Sequence, residues 1–258
     1  METRGAVSTG KSAARNENPK ITRLFSWVTA TESGVLLVAG VGLLLFPWIM
    51  GPLWPWDLTP FNALLLGSIY SASLVATLAT VGFGRWAPAR IVAPMIFLFT
   101  IIVLLVSLAD LDRFDLGHYS SWLWFLLYVG IPLNAGYYLW QQRGRAPYVP
   151  HPLAGPWTLV LLAPVALLGL YGLGLLVAPE QASSFWPWPI DAFHGRMYSV
   201  AYLTPALGAV LLWRAAAPVE SLTMGLTQAS GGIIPIVGLV IVDANVGGKV
   251  DWSASGTW

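Results

Sequence analysis

The sequence has no cysteine and very little charge. Without cysteine, the chain can form no disulfide, thiolate metal site, iron–sulfur cluster or c-type haem attachment. Charged residues make up 10% of its 258 residues, whereas soluble domains carry about 25%. Hydrophobic residues make up 56%. This composition indicates a chain embedded in a lipid bilayer, so we expect an all-α integral membrane protein.

Sequence patterns for catalysis and cofactor binding are missing as well. No P-loop, nucleophile elbow or zinc-binding helix is present, and no apolar run carries a central lysine for a retinal Schiff base. His118, His151 and His194 fall in loops or near the edge of a run, which argues against a haem held by two histidines. His194 alone could ligate a chlorophyll magnesium. We therefore expect no enzyme activity, no cofactor, no metal and no nucleic-acid partner.

Long apolar runs are abundant in the chain. A helix needs about 20 apolar residues to cross a hydrocarbon core of about 30 Å. The first run follows a polar segment and is not followed by a cleavage site of small residues, so we interpret it as a retained helix. Seven runs predict seven transmembrane helices, at residues 28–50, 61–82, 91–109, 121–141, 157–178, 194–214 and 222–243.

The basic residues predict which side of the membrane each loop faces. With the N-terminus in the cytoplasm, ten of the thirteen Lys and Arg residues lie in cytoplasmic segments. We therefore expect a cytoplasmic N-terminus and an outer C-terminus, in the bacterial cytoplasmic (inner) membrane. The ten residues are Arg4, Lys11, Arg15, Lys20, Arg23, Arg85, Arg90, Arg143, Arg145 and Arg214.

A fixed offset of 132 residues relates two parts of the chain. Gly, Pro, Trp and Tyr are rarer and more constrained in position than aliphatic residues, so their alignment without a gap predicts an internal duplication. The aligned pairs are Gly40 with Gly172, Gly42 with Gly174, Pro47 with Pro179, Trp54 with Trp186, Pro55 with Pro187, Trp56 with Trp188, Phe61 with Phe193 and Tyr70 with Tyr202.

The duplication predicts the architecture. It pairs the first three runs with the last three, and one inserted residue brings Asp110 opposite Asp243. The unpaired fourth run returns the chain to the cytoplasm, so both copies run in the same direction, as parallel repeats do in some transporters. The predicted parts are a polar cytoplasmic tail (1–26), a first three-helix repeat (27–115), a linking helix with a cytoplasmic loop (116–150), a second repeat (151–244) and an outer tail (245–258).

Each Trp-Pro-Trp segment joins the first two helices of a predicted repeat on the outer side. Trp is favoured at the headgroup level, and Pro ends a helix. We therefore interpret Trp54, Trp56, Trp186 and Trp188 as interfacial anchors. The alternative is an aromatic wall for a ligand at the outer mouth.

Polar residues form a stripe along one face of the second run, where they recur every three or four residues. Small and hydroxylated residues also recur on the sixth run. Such faces usually let helices pack closely in lipid, but they could also line a polar path between the repeats. The six path residues are Tyr70, Ser73, Thr77, Thr80, Tyr202 and Gln228.

Charged residues collect at the outer ends of the runs. The outer-face polar cluster is predicted to contain Asp191, His194, Arg196, Asp110 and Asp243. A salt-bridge network within reach of water is the ordinary interpretation, and a substrate or proton site open to the outside is the alternative. Inside the runs, ionisable side chains are few. We expect Glu32 at the inner start of the first helix, where a carboxylate suits the helix N-terminus.

Two functions fit these patterns. The first is a non-catalytic structural or accessory subunit of a larger membrane assembly, in contact with the bilayer, with other membrane-protein subunits and with a pigment or lipid ligand. The second is a small-solute or proton-coupled transporter with a polar path between the second, sixth and seventh helices. The two functions differ in whether the polar stripe faces a wet cavity or a packed interface.

Overall fold

The protein is helical throughout the part of the chain that the structure describes. A computed structural model describes residues 18–145, 147–148, 155–184, 186–215, 217–250 and 252–253. Apart from the helices, it contains an isolated bridge between Lys20 and Arg85. Most of the predicted cytoplasmic tail, part of the loop before residue 155 and the end of the outer tail lie outside these ranges.

The described ranges contain long helices and three short ones of four to seven residues. The helices are α1 (Arg23–Leu45), α2 (Pro47–Met50), α3 (Pro60–Phe83), α4 (Trp86–Ala109), α5 (Tyr119–Gln142), α6 (Gly155–Val177), α7 (Pro179–Ala182), α8 (Ala192–Tyr198), α9 (Val200–Arg214) and α10 (Pro218–Val246). Single 3₁₀ turns follow α2 and α4, at Gly51–Leu53 and Leu111–Arg113.

Five of the described helices are long and apolar enough to cross a membrane: α1, α3, α4, the Leu159–Val177 part of α6, and α10. These helices make the chain a membrane protein by length and composition, as expected from the sequence. The other two predicted spans differ from the five. The fourth run forms α5, which is rich in Trp and Tyr, and the sixth is divided at Ser199 into α8 and α9.

Capping groups set the helix boundaries. Thr22 and Thr59 precede α1 and α3, and their hydroxyls accept hydrogen bonds from the first-turn amides of Phe25 and Asn62, at 3.3 and 3.2 Å. At its other end, α3 stops at Gly84, where φ is +59° and the amide donates to the carbonyl of Thr80. α1, α3, α4 and α10 therefore begin before the apolar runs that predict them, whereas α1 ends at Leu45 and not at the predicted residue 50.

Helices from the two halves of the chain pack against each other. α1 packs on α3, and α6 packs on α9 in the same way. In addition, α3 packs along α10, and α4 packs along α9, so helices from the first part of the chain interlock with helices from the last part. α5 lies against α4 and α1. We call this arrangement crosswise packing. The main cluster of buried apolar residues draws on α1, α3, α4, α5, α8 and the start of α9.

Residues 132 positions apart make matching contacts. α1 crosses α3 at Gly40, where an added Cβ would lie 2.9 Å from Ser71 Oγ. α6 crosses α9 at Gly172, where an added Cβ would lie 3.0 Å from the backbone nitrogen of Leu203. Ser71 and Leu203 are themselves 132 residues apart. The sequence match is therefore accompanied by a match in helix crossing.

The ends of α1 and α6 also match. The amide of Phe46 donates to the carbonyl of Gly42 and the amide of Ala178 donates to the carbonyl of Gly174, both at 2.8 Å. At each point φ is −133°, and a proline then begins a four-residue helix. Equivalent residues thus turn the chain in the same way before each Trp-Pro-Trp segment.

Candidate functional site

A cavity of about 1020 Å³ lies among the long helices, partly open to the outside of the bundle. Its lining is mostly apolar, with contributions from α1, α3, α4, α5, α6, α9 and α10. The structure brings five of the six path residues to this cavity. Thr80 is the exception; it is fully buried away from the cavity and donates its hydroxyl to the carbonyl of Ala76 at 2.9 Å. The five that line the cavity are Tyr70, Ser73, Thr77, Tyr202 and Gln228.

Glu32 also lines the cavity, in a position that differs from the sequence-based expectation. α1 begins at Arg23, so Glu32 lies about 14 Å along the helix axis instead of at the helix start. Its exposed fraction is 8%. Within the described ranges, no residue donates a hydrogen bond to its carboxylate or forms an ion pair with it. The prediction was wrong because it began the helix at the apolar run; the capping residue Thr22 was the available signal for the earlier start.

Two tyrosines that line the cavity contact each other. The hydroxyl oxygens of Tyr70 and Tyr128 are 3.2 Å apart and hydrogen bonded, and both rings are buried. About two turns further along α3, Ser33 Oγ donates to Thr77 Oγ1 at 2.9 Å. These contacts join α1, α3 and α5 through polar groups. Tyr128 was not among the sequence-predicted path residues, because the fourth run has no counterpart in the duplication.

Several buried polar atoms of the cavity lining have no hydrogen-bond partner within the described part of the chain. They are Trp54 Nε1, Trp186 Nε1 and Thr204 Oγ1. Native proteins satisfy nearly all buried polar atoms with protein groups or ordered water. The lining therefore offers hydrogen-bonding capacity that water or a ligand in the cavity would satisfy.

Each Trp-Pro-Trp segment contacts residues from the opposite half of the chain. Trp56 meets Phe193 edge-on, with ring centres 5.2 Å apart, and Trp188 stacks on Phe61 at 5.3 Å. Trp188 Nε1 also donates to Asn62 Oδ1 at 3.2 Å. Both indoles are buried, so their rings face protein instead of lipid headgroups.

The first tryptophan of each Trp-Pro-Trp segment, Trp54 or Trp186, is partly buried and lines the cavity. Trp54 packs on Tyr70, and Trp186 packs on Tyr202, with ring centres 5.9 and 6.4 Å apart. Trp56 and Trp188 are therefore buried in the protein, whereas Trp54 and Trp186 are partly exposed beside the cavity. The interfacial anchor and the aromatic wall both stay predictions for these residues. Trp packs equally well at a headgroup interface and in a protein interior, which is why composition could not separate the two.

The structure joins four residues of the outer-face polar cluster in two ion-paired groups. Asp191 caps α8, and its Oδ1 accepts from the backbone amide of His194 at 2.9 Å and lies 2.8 Å from Nδ1 of the same residue. Arg113 approaches the other oxygen of Asp191 to 3.1 Å. Arg196 pairs with Asp110 at 3.2 Å. Arg113 was not predicted as a member, because its partner lies far along the chain.

Asp243, the fifth predicted member, is held elsewhere. Its carboxylate accepts hydrogen bonds from the amides of Lys249 and Val250, at 2.6 and 2.8 Å, and from Trp252 Nε1 at 2.7 Å. It therefore fixes the segment that follows α10. Over the described ranges, no group of three His, Asp or Glu residues is arranged to hold a metal ion.

Asp191 gives the outer-face polar cluster a testable pH dependence. Partial burial acts to raise the pKa of Asp191, but the hydrogen bonds from His194 and the charge of Arg113 outweigh it and hold this pKa below its usual value. A carboxyl whose pKa is lowered on folding stabilises the protein above its unfolded pKa, about 3.9, and loses that contribution as the pH falls through the folded value. We expect Asp191→Asn to lower the melting temperature at about pH 7 and to make little difference at about pH 3.

Thermal unfolding in detergent at both pH values measures this effect. Asn retains the helix cap, so the variant isolates the charge. Asp57→Asn is the control, because Asp57 is exposed on the loop before α3. A difference between the wild type and Asp191→Asn that is as large at acid pH as at neutral pH would contradict the prediction.

Known proteins provide no guide to the function of this chain. Comparison of the chain with family models, with curated proteins and with solved structures finds no match. A fold alone does not determine a function, and the cavity with its lining residues is the feature that bears on function.

Proposed function

We propose that the protein is a small-solute membrane transporter whose solute occupies the cavity between the two halves of the chain. The observation that carries the proposal is that Tyr70, Ser73 and Thr77 from α3 face one space together with Tyr202 from α9 and Gln228 from α10. Ligand cavities of proteins measure about 300–1,000 Å³, so this cavity is large enough for a drug-sized molecule.

The proposed architecture is that of seven membrane-spanning segments in two parallel three-helix repeats. α1, α3 and α4 form the first repeat, α6, α8–α9 and α10 form the second, and α5 links them. The matched helix crossings at Gly40 and Gly172 support the duplication. The distribution of Lys and Arg supports an N-terminus in the cytoplasm and a C-terminus outside, in a bacterial cytoplasmic membrane.

A second candidate function is an accessory subunit of a membrane assembly. It is favoured by α6 and α10, in each of which 11% of the apolar span is buried, against 50% in α3 and α4. Leu167, Leu170, Ile233 and Ile236 are among the exposed side chains. Partner helices, lipid or a pigment would cover these faces in an assembly.

The accessibility of the cavity to water distinguishes the two functions. The chain has no cysteine, so single cysteines can be introduced without removing any native ones. We expect Ser73→Cys and Tyr202→Cys to react with a membrane-impermeant thiol reagent at least about tenfold faster than Thr80→Cys. Ser73 and Tyr202 line the cavity, whereas Thr80 lies on the same stripe but is fully buried outside it.

The measurement is the rate of thiol modification in sealed vesicles of known orientation, with the reagent added on each side in turn. Modification of Ser73→Cys from both sides would support transport, since a transporter exposes its binding site alternately. Reaction as slow as that of Thr80→Cys would mean a dry interface. That result would contradict transport and favour the accessory subunit.

A further inference from the structure

We propose that the cavity binds a lipophilic organic cation, which Glu32 accepts in exchange for a proton. This inference rests on the proposed transport function and names its substrate class. Glu32 is buried, faces the cavity and has no partner among the described residues. Ionisable groups at membrane depth are rare and usually pair with another charge or mark a substrate or proton path.

The charge of the lining determines the sign of the ligand. Of the described residues that line the cavity, Glu32 is the one Asp or Glu, and none is Lys, Arg or His. An ionised carboxylate in a medium of low dielectric is costly unless a positive charge lies beside it. Glu32 therefore has two favourable states, a protonated acid or a carboxylate paired with a bound cation. An anionic ligand would be repelled in the ionised state and would find no counter-charge in the protonated one.

The aromatic rings of the lining favour an organic cation over a metal ion. Trp54, Trp124, Tyr70 and Tyr128 form a continuous wall, with ring centres 4.3 to 5.9 Å apart. The faces of such rings attract cations, most strongly where water is excluded. A Ca²⁺ ion requires about 6–8 oxygen ligands, whereas the cavity offers one carboxylate and a mostly apolar lining. A large, weakly hydrated cation fits both the volume and the chemistry.

The exchange balances in charge. When the cation enters, the Glu32 carboxylic acid releases its proton to water, and the cation pairs with the carboxylate without forming a covalent bond. One positive charge leaves as one arrives, so the bound and unbound cavities have the same net charge. The proton and the cation therefore compete for one group. In the pH range where Glu32 is protonated, the affinity for the cation falls about tenfold for each unit by which the pH is lowered.

Tetraphenylphosphonium tests this proposal on the purified full-length protein in detergent. It is permanently charged and carries no proton of its own, so every proton that appears comes from the protein. We expect saturable binding, detected by calorimetry, with about one proton released per cation, detected by a pH dye in weakly buffered solution. Glu32→Gln should bind at least about 100-fold more weakly, while Glu32→Asp should keep both binding and proton release.

Two controls separate charge recognition from apolar binding. Glu180→Gln removes an exposed acid of α7 that does not line the cavity, and it should bind as the wild type does. Triphenylphosphine oxide is a neutral ligand of similar surface, and its binding should be the same in wild type and Glu32→Gln. Cation binding by the wild type without proton release would overturn the exchange even if Glu32→Gln failed to fold.

The results separate this inference from the proposed function. If Ser73→Cys reacts from both sides while tetraphenylphosphonium does not bind, the cavity remains a transport path and the cation assignment is wrong. If the cation binds with proton release while Ser73→Cys is inaccessible, the site is a binding site and the transport function is wrong. Equal cation binding by wild type and Glu32→Gln overturns the role of Glu32.

Discussion

Replacing Glu220 with alanine is expected to lower the free energy of unfolding by about 3–5 kcal/mol, because it leaves the Arg90 charge buried without a partner. Glu220 is 0% exposed and Arg90 is 9% exposed. The guanidinium of Arg90 donates from Nε to one carboxylate oxygen and from its terminal nitrogen to the other, each at 2.7 Å. This two-pronged geometry is the strongest form of an Arg–carboxylate pair.

The pair also fixes the start of α10. Glu220 accepts a hydrogen bond from the amide of Ala217 at 2.9 Å, and Arg90 donates to the carbonyl of Ala215. The segment before α10 is thereby attached to the first turns of α4. Loss of Glu220 removes its hydrogen bond from Ala217 and its ion pair with Arg90. The expected effect is therefore much larger than the change of about 0.5 kcal/mol that an ordinary surface substitution causes.

Reversible unfolding in mixed detergent micelles measures the change. Glu180→Ala is the matched control, since it removes an exposed acid near the start of a helix. The double variant Arg90→Met/Glu220→Leu should recover most of the loss, because replacing both partners with apolar groups leaves no buried charge. A loss below about 1 kcal/mol for Glu220→Ala would show that the pair is exposed to water in the membrane.

Gly172→Ala is expected to cost about 1–3 kcal/mol, because its Cβ would overpack the crossing of α6 and α9. The added atom would lie 2.8 Å from Cγ of Leu203 and 3.0 Å from its backbone nitrogen, against 3.3 Å for the nearest backbone atom at Gly40, and the backbone cannot move without shifting the helix. Gly40→Ala, at the equivalent crossing of α1 and α3, should cost less. Its closest neighbour is Ser71 Oγ at 2.9 Å, a side-chain atom that can rotate away.

Gly169→Ala is the matched control for Gly172→Ala on the same helix. Its Cβ would lie 3.8 Å from Ala206 Cβ, an ordinary van der Waals contact. Because Ala is favoured over Gly in a helix by about 1 kcal/mol, Gly169→Ala should be neutral or stabilising. Unfolding of the three variants under the same conditions gives the comparison. Equal stability of Gly172→Ala and Gly169→Ala would mean that α6 and α9 lie further apart in the membrane.

The helical, membrane-embedded character of the chain could be predicted from the sequence, because bilayer thickness sets the length of an apolar run. Helix boundaries were less predictable. The first turns of α1 contain Arg23 and Ser26, which hydropathy excludes from the apolar run although Thr22 caps the helix before them. Because α1 begins earlier than predicted, Glu32 lies in the helix interior and not at the helix start.

The contacts between distant residues could not be predicted in the same way. In the sequence, Arg90 is one of the basic residues that predict the orientation of the chain. Its pairing with Glu220 depends on how α4 packs against α10. The path residues of α3 could be identified by their spacing alone, since a shared helix face follows from the helical period. Which of them reach the cavity depends on packing, as Thr80 demonstrates.

Crosswise packing has a consequence for the biosynthesis of the chain. Synthesis proceeds from the N-terminus, so α3 and α4 leave the ribosome long before α9 and α10, the helices that cover them in the finished protein. The newly made first half therefore enters the membrane with Asn62 and Arg90 still without their partners Trp188 and Glu220. Translation arrested after α5 would yield a fragment that lacks its covering helices and is open to degradation by membrane proteases.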